Sequence, residues 1–359
     1  MLDEQMQSVE EPTRDIYGAQ GRDPWPGAGC KEGTALMEVL LVTNLWPRGG
    51  THTFTGVFVR EQVKAICRAY PDIHYDLLVI RGQENKLNYL IAPFRVYNAM
   101  RRKKYDLLHA HYGLSAVGAV FRGRTPLLVT LHGSDVMSPG FPARLSKWGT
   151  LRWADGIIVV SAEMKQLLGR EDAAVVPMGV DLEMFRPMDQ AQARKAIGLP
   201  EGPRYVLFAS DPARSLKRYD LFLEAMALLR ASDPSVEPFV LSEPRPYEHM
   251  PAIMNACDVL ALTSDREGSP MVIKEAMACN LPIVSVPVGD VPDQISRVPG
   301  CFLVERSPAA ITEGIRRALD YRGRVGGREA VMHLGQDMIA ARVVGLYRGL
   351  ISQTTGAVS

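Results

Sequence analysis

Nowhere does this chain carry an unbroken apolar run of the roughly 20 residues that a bilayer-crossing helix needs, and its first residues lack the basic-then-apolar order of a secretory leader. Cysteine is scarce as well. The five present, Cys30, Cys67, Cys257, Cys279 and Cys301, are scattered and form no Cys-x-x-Cys pair, which argues against a disulfide framework and against a thiolate zinc site. An excess of charge of either sign is also missing: 41 lysines and arginines stand against 40 aspartates and glutamates, a formal net charge of +1, so the overall balance points to no nucleic-acid partner. Together these absences predict a cytoplasmic protein, with at most a peripheral hold on the inner face of a membrane.

What is present is apolar residue in quantity, 47% of 359 residues, enough to core two domains of ordinary size. Residues 1–36 are acidic, contain glycine and show no hydrophobic period, which predicts a flexible extension, with Met37 opening the first domain. From there apolar runs at 37–43, 75–80, 107–111, 127–131, 157–160 and 174–176 predict strands, with helical spacing between them, notably at 57–70 and 91–104. The pattern pauses near Pro177 and resumes with strands at 205–209, 239–242, 259–262, 282–286 and 302–304, a helix at 219–231, a short one at 251–256, and helices from Ala309 and Arg328 onward. Such alternation predicts an α/β chain of two doubly wound, Rossmann-like domains, 37–185 and 186–327, facing a central cleft, with 328–359 as a closing helix. Ligands of such domains bind beyond the carboxyl ends of the strands.

The stretch Thr263 to Pro282 is the most informative. It leaves the 259–262 strand, turns through Gly268 and Ser269, and starts a helix for which Ser269 is the expected N-cap and Pro270 the first residue. The free amides of that first turn, with Met271 and Val272, make a seat for phosphate. Glu267 lies just ahead of the helix and Glu275 inside it, leaning back toward its start. Carboxylates beside an anion site suit a ligand that also carries sugar hydroxyls; on spacing alone, a capped helix with two solvated glutamates fits as well.

Three further stretches stand between a strand and a helix. Phe208 to Arg218 puts Arg214 and Lys217 where they could neutralise a diphosphate, or merely form a solvated basic loop. Arg48 to Gly56 contains Gly50, which permits close backbone approach to a ligand, but the loop is neither G-x-G-x-x-G nor a Walker loop, so NAD and ATP gain little support. Thr130-Leu131-His132-Gly133-Ser134-Asp135 makes His132 the leading histidine, with a packed polar group as the plainer alternative. His109 and His111 share one face of a strand, so metal ligation is conceivable, yet no carboxylate or cysteine completes a set and packing is favoured. The basic run Arg101 to Lys104 follows Phe94, Val96, Tyr97 and Met100, a combination that suits either a solvated helix end or an anionic membrane surface.

Glu267 and Glu275, with seven residues between them and followed by Ala276-Met277-Ala278 and Leu281-Pro282-Ile283-Val284, resemble the E-x7-E signature of retaining GT-B glycosyltransferases of family 4, the group 1 glycosyl transferases. Val288-Gly289-Asp290-Val291-Pro292-Asp293 resembles that family's V-G-G-x-P-E continuation, and His132-Gly133-Ser134-Asp135 its H-G-x-D element. The family's commoner basic pattern sets arginine five before lysine; the spacing of Arg214 and Lys217 instead resembles the D-P-x-R-x-x-K variant of a subgroup acting in bacterial cell-surface polysaccharide synthesis. The resemblance implies the GT-B fold and transfer of a sugar, with retention and without a metal, from a nucleotide-diphosphate sugar to a glycan, lipid-linked or small-molecule acceptor. By the same resemblance His132 contacts the transferred sugar, Glu267 its hydroxyls and Glu275 the ribose. Arg214, Lys217 and the helix start at Gly268 to Val272 hold the diphosphate, and the last helix crosses back to the first domain. The base is expected near residues 242–251, with Tyr247 stacked on it. A nucleotide-sugar 2-epimerase of the same architecture and a non-catalytic nucleotide-sugar-binding protein remain alternatives.

Overall fold

The computed structural model describes residues 13–15, 37–47, 56–82, 84–242, 245–321 and 323–356. Gly50 and its loop, and all of the N-terminal extension except Thr13–Asp15, lie outside them.

Twelve strands among the described residues form two parallel sheets. The first contains β1 (Thr13–Asp15), β2 (Met37–Thr43), β3 (Ile73–Val79), β4 (Leu107–His111), β5 (Leu127–Leu131), β6 (Gly156–Val159) and β7 (Ala174–Val175), in the order β1-β3-β2-β4-β5-β6-β7. The second contains β8 (Arg204–Phe208), β9 (Val236–Val240), β10 (Val259–Leu262), β11 (Ile283–Ser285) and β12 (Phe302–Leu303), in the order β12-β11-β10-β8-β9. Central strands such as β4 and β5 are buried at every residue, because helices cover both faces, and this is why they read as continuous apolar runs rather than alternating ones. Thr13–Asp15 pairs with Tyr75–Leu77, so part of the expected extension is an edge strand of the first sheet.

The order of strands reverses once in each sheet, between β2 and β4 and between β8 and β10. At such a switch point the flanking loops turn to opposite faces and leave a crevice. Thr43 pairs with His111 at the first; the loops that follow Phe208 and Leu262 flank the second.

Boundaries differ from the sequence expectation in two instructive places. Strand β9 begins at Val236 and includes Pro238, which an edge strand tolerates because one side of its backbone needs no partner. The second helix begins at Leu87 and ends at Arg102, about a turn earlier than its apolar spacing indicates, with Asn85 Oδ1 accepting from Leu87 N at 2.9 Å. Its first turn, Leu87-Asn88-Tyr89-Leu90, leaves Leu87 and Leu90 exposed and so does not join the buried stripe of Ala92, Val96 and Ala99.

The helix Gln336–Gly356 packs on the helix Val57–Ala69 of the first domain. Tyr347 on it is fully buried; its hydroxyl lies 2.9 Å from that of Tyr75 and 2.7 Å from His109 Nδ1. Beside this helix the two interdomain passages run together. Val180 N donates to Leu334 O (2.9 Å), Gln336 N donates to Val180 O (3.0 Å), and the Arg328 guanidinium donates to Phe185 O and Leu182 O, each at 2.7 Å.

Candidate active site

The loop after β10 starts its helix one residue later than expected. Pro270 is the N-cap of Met271–Ala278, with no side-chain cap, so the amides of Met271 and Val272 open the helix. Ser269 is turned inward instead: its Oγ donates to Asp290 Oδ2 at 2.5 Å and accepts from Lys274 Nζ. Lys274 is fully buried, with Asp290 Oδ2 3.7 Å from its ammonium. Burial lowers the ammonium's pKa and raises that of the Asp290 carboxyl, while their mutual attraction opposes both shifts. Sequence reasoning passed over Lys274, although a lysine on the apolar side of a short helical run was a signal available to it.

Glu267 and Lys217 meet directly, Nζ to Oε1 at 2.6 Å, both largely shielded from solvent. Lys217 is brought there by a one-turn helix, Ser215–Lys217, held to the β10 end by Thr263 Oγ1 donating to Lys217 O (2.8 Å) and by Asp265 N donating to Leu216 O (2.9 Å). Arg218 next to it sits in the left-handed region (φ 52°), its side chain clamped by Asp220 and Asp265. Arg214 is exposed and is not drawn into this cluster.

Glu275 is buried, 4% exposed, and accepts at Oε1 from the Tyr247 hydroxyl at 2.7 Å. Tyr247 packs on Phe185 with ring centroids 5.6 Å apart, so it braces the carboxylate rather than standing free as a stacking platform. Burial pushes the Glu275 carboxyl up from 4.5 to about 7, against the opposing effects of the Tyr247 hydrogen bond and the Lys274 charge. Between those pH values the folded chain keeps a proton that the unfolded chain has released. Stability therefore falls as pH rises through this window, by at most about 3 kcal/mol at about 1.4 kcal/mol per pH unit. Glu275→Gln removes that dependence. Its urea midpoint relative to the wild type is expected to climb from pH 4.5 to 7.5, and a gap independent of pH would refute the buried-carboxyl account.

On the first domain, the turn after β5 is shaped by Asp135, whose carboxylate accepts from His132 N (3.0 and 3.1 Å) and Gly133 N (2.9 Å). Asp135 is fully buried, which raises its carboxyl to about 6. His132 Nε2 lies 2.9 Å from His111 Nδ1, and burial lowers the His132 ring to about 3, so it is neutral at physiological pH. His109 has both nitrogens engaged by hydroxyls, those of Tyr347 and Thr130, each at 2.7 Å, the packing role expected of it. Among the described residues no three His, Cys, Asp or Glu side chains gather as a metal site would require.

The two domains touch at this place. A Cβ added to Gly268 would fall 2.7 Å from His132 O and 3.3 Å from Gly133 Cα, and Arg266 Nη1 donates across to Met137 O at 3.1 Å. The loop carrying Glu267 is thus seated on the turn carrying His132. Residues 52–184 match the Glycosyltransferase Family 4 profile, and 239–321 match Glycosyl transferases group 1.

The chain belongs to glycosyltransferase family 4.

A D-inositol 3-phosphate glycosyltransferase of Mycolicibacterium gilvum (strain PYR-GCK) is 31% identical over 277 residues, 64% of this chain and 62% of that one. The D-inositol 3-phosphate glycosyltransferase 1 of Catenulispora acidiphila is 29% identical over 312 residues, 70% and 74% of the two chains. The match thus spans about three-fifths of the M. gilvum relative. The sucrose-phosphate synthase of Thermosynechococcus elongatus superposes with a TM-score of 0.68 at 20% identity, covering 88% of this family 4 chain and all of its own. Anabaena HepE in complex with UDP superposes at 0.62 and 18% identity, with coverage of 88% and 100%. These superpositions establish the GT-B fold of two Rossmann-like domains.

Proposed function

We propose that this family 4 chain transfers a sugar from a nucleoside-diphosphate sugar to a glycan, lipid-linked or small-molecule acceptor, with retention and without a metal ion. The supporting observation is the seating of the Lys217–Glu267 pair and the Met271 helix start against the His132 turn, at the switch point of the second sheet. Lys217, the exposed Arg214 and the amides of Met271 and Val272 neutralise the departing diphosphate, a charge that grows as the sugar–phosphate bond breaks. Glu267 is held ready by Lys217 to accept from the sugar's hydroxyls, and Glu275, fixed at Oε1 by Tyr247, offers its other oxygen to the ribose. His132 positions the sugar from the opposite wall. The nucleoside-diphosphate part of the donor fits these groups, and its released phosphate oxygen takes the acceptor's proton on the same face.

Thermal shift with a panel of nucleotide sugars, with and without chelator, tests the donor and the metal independence together. UDP-sugars head the panel because HepE was solved with UDP-glucose, and an inositol phosphate heads the acceptors because of the relatives' printed name. A donor present at about 100 times its Kd stabilises by about 2.7 kcal/mol. Loss of that shift on chelation would refute metal independence; an epimerised nucleotide sugar formed without acceptor would replace transfer by epimerisation.

We also propose that the outer face of the first domain rests on an anionic membrane. Among the described residues no helix is long and apolar enough to cross one. On the helix Leu87–Arg102, however, Leu87, Leu90, Ile91, Phe94 and Tyr97 all face solvent, Leu90 at 69%, whereas Ala92, Val96 and Ala99 face the core. Phe121 extends the patch, its ring centroid 6.1 Å from that of Phe94, and exposed Arg101, Arg102 and Lys104 follow. Insertion of such a face into the headgroup region combines apolar burial with attraction to anionic lipid. Lys103 is spoken for by Glu38 and Asp76 (2.6 and 3.0 Å). Cosedimentation with vesicles containing phosphatidylglycerol is expected, and Leu90→Ser with Phe94→Ser is expected to reduce it at least about fivefold; equal sedimentation of the variant rules the patch out.

A further inference from the structure

His109 and His111 stand two residues apart on β4 with ring centroids 4.2 Å apart, but only His109 has both nitrogens satisfied. His111 is 1% exposed; its Nδ1 meets His132 Nε2 at 2.9 Å, and its Nε2 is buried with no hydrogen-bond partner. Two ring nitrogens at that distance share a single proton.

Burial keeps both rings neutral, so each carries one N–H. If the shared proton belonged to His132 Nε2, His111 would be protonated at Nε2 and would bury an N–H with no acceptor. If it belongs to His111 Nδ1, what is buried unpaired is a lone pair. Orphaned buried donors are rarer and costlier than under-used acceptors, which selects the second arrangement.

We infer that His111 is a positioning residue that donates from Nδ1 to His132 Nε2, holding His132 in the Nδ1–H form so that it presents a hydrogen-bond donor, and not a base, to the cleft. The half-buried His132 ring makes no other hydrogen bond among the described residues, so its Nδ1–H remains for a ligand oxygen, a sugar hydroxyl or ring oxygen being the chemistry that fits. The role of that donor rests on the sugar-transfer function proposed above; the tautomer itself does not.

The test is a long-range nitrogen–proton correlation spectrum of the full chain labelled with 15N-histidine, His132 being assigned by comparison with His132→Gln. His132 is expected as the Nδ1–H tautomer. His111→Asn places an amide N–H where Nδ1 stood and is expected to preserve that signature. His111→Leu removes the donor and is expected to release His132 into the Nε2–H form or a mixture, with kcat reduced about tenfold, the worth of one hydrogen bond, and donor KM little changed. A wild-type His132 in the Nε2–H form overturns the inference, as does a signature unchanged in folded His111→Leu. If that variant does not fold, the wild-type and His111→Asn spectra decide. Correct tautomers without sugar transfer would leave the inference standing and overturn the proposed function alone.

Discussion

Gly268→Val is expected to lower kcat/KM for sugar transfer by about 100-fold or more, the scale of loss that a misplacement of about 1 Å produces in a positioned site. The cause is geometric. Any Cβ at 268 lies 2.7 Å from His132 O and 3.1 Å from Val160 Cγ2, and backbone cannot step aside as a flexible side chain would. The two domains must part or the Glu267 loop must lift, and either move takes Lys217–Glu267 away from His132. Overpacking of this kind costs about 1–3 kcal/mol, so the variant should still fold and be measurable beside the wild type. Gly289 makes the constraint two-sided: a Cβ there would be 2.5 Å from Gly268 O, and its φ of +54° already favours glycine. Kinetics of Gly268→Ala and Gly268→Val against a panel of donors check this; activity within about threefold of wild type in both would show that the domain contact does not set the site.

Lys274→Met is expected to destabilise the second domain by about 3–5 kcal/mol, the cost of leaving a buried carboxylate without its partner. Asp290 is only 7% exposed, and the substitution also strips Ser269 Oγ of its donor at the turn that precedes the helix start. The pair belongs to the site in an indirect way. By turning Ser269 inward it fixes the direction in which the Met271 and Val272 amides open. In Lys274→Met with Asp290→Asn no charge remains to be compensated, and most of the lost stability is expected to return. Urea midpoints of the four proteins form the double-mutant cycle. Additive losses would mean that the two groups act separately.

The positions of several candidate-site residues were legible from local pattern. Glu267, Lys217 and His132 each stand in the segment that follows an apolar strand, with Glu275 in the helix after Glu267, and parallel strands deliver their carboxyl-terminal loops to one edge of the sheet, so the placement of these loops followed from alternation alone. What failed was detail that depends on a distant partner. Ser269 has the composition of an N-cap, but Asp290, 21 residues on, competes for its hydroxyl, and the N-cap moves to Pro270 with the helix starting at Met271. Tyr247 looks like a stacking platform until Glu275, 28 residues away, takes its hydroxyl. Arg214 and Lys217 look equivalent in sequence, yet Lys217 is paired and Arg214 is left exposed, because the one-turn helix between them directs only the lysine toward Glu267.

The amino-acid sequence by itself determined the layers, the two parallel sheets, the loops that carry polar groups and the family to which they belong. All of these are written in continuous apolar runs, in the 3.6-residue period of helices and in short spans, which local sterics and burial enforce wherever the chain goes. Tertiary structure alone decided which of those groups meet. The contact of Gly268 with Gly133, the burial of Lys274 against Asp290, the proton shared by His111 and His132, and Tyr347 reaching His109 across 238 residues all depend on strand order and on the packing of one domain against the other. Such contacts are settled by the sum of many small packing and desolvation terms over the whole molecule, and no local pattern records that sum.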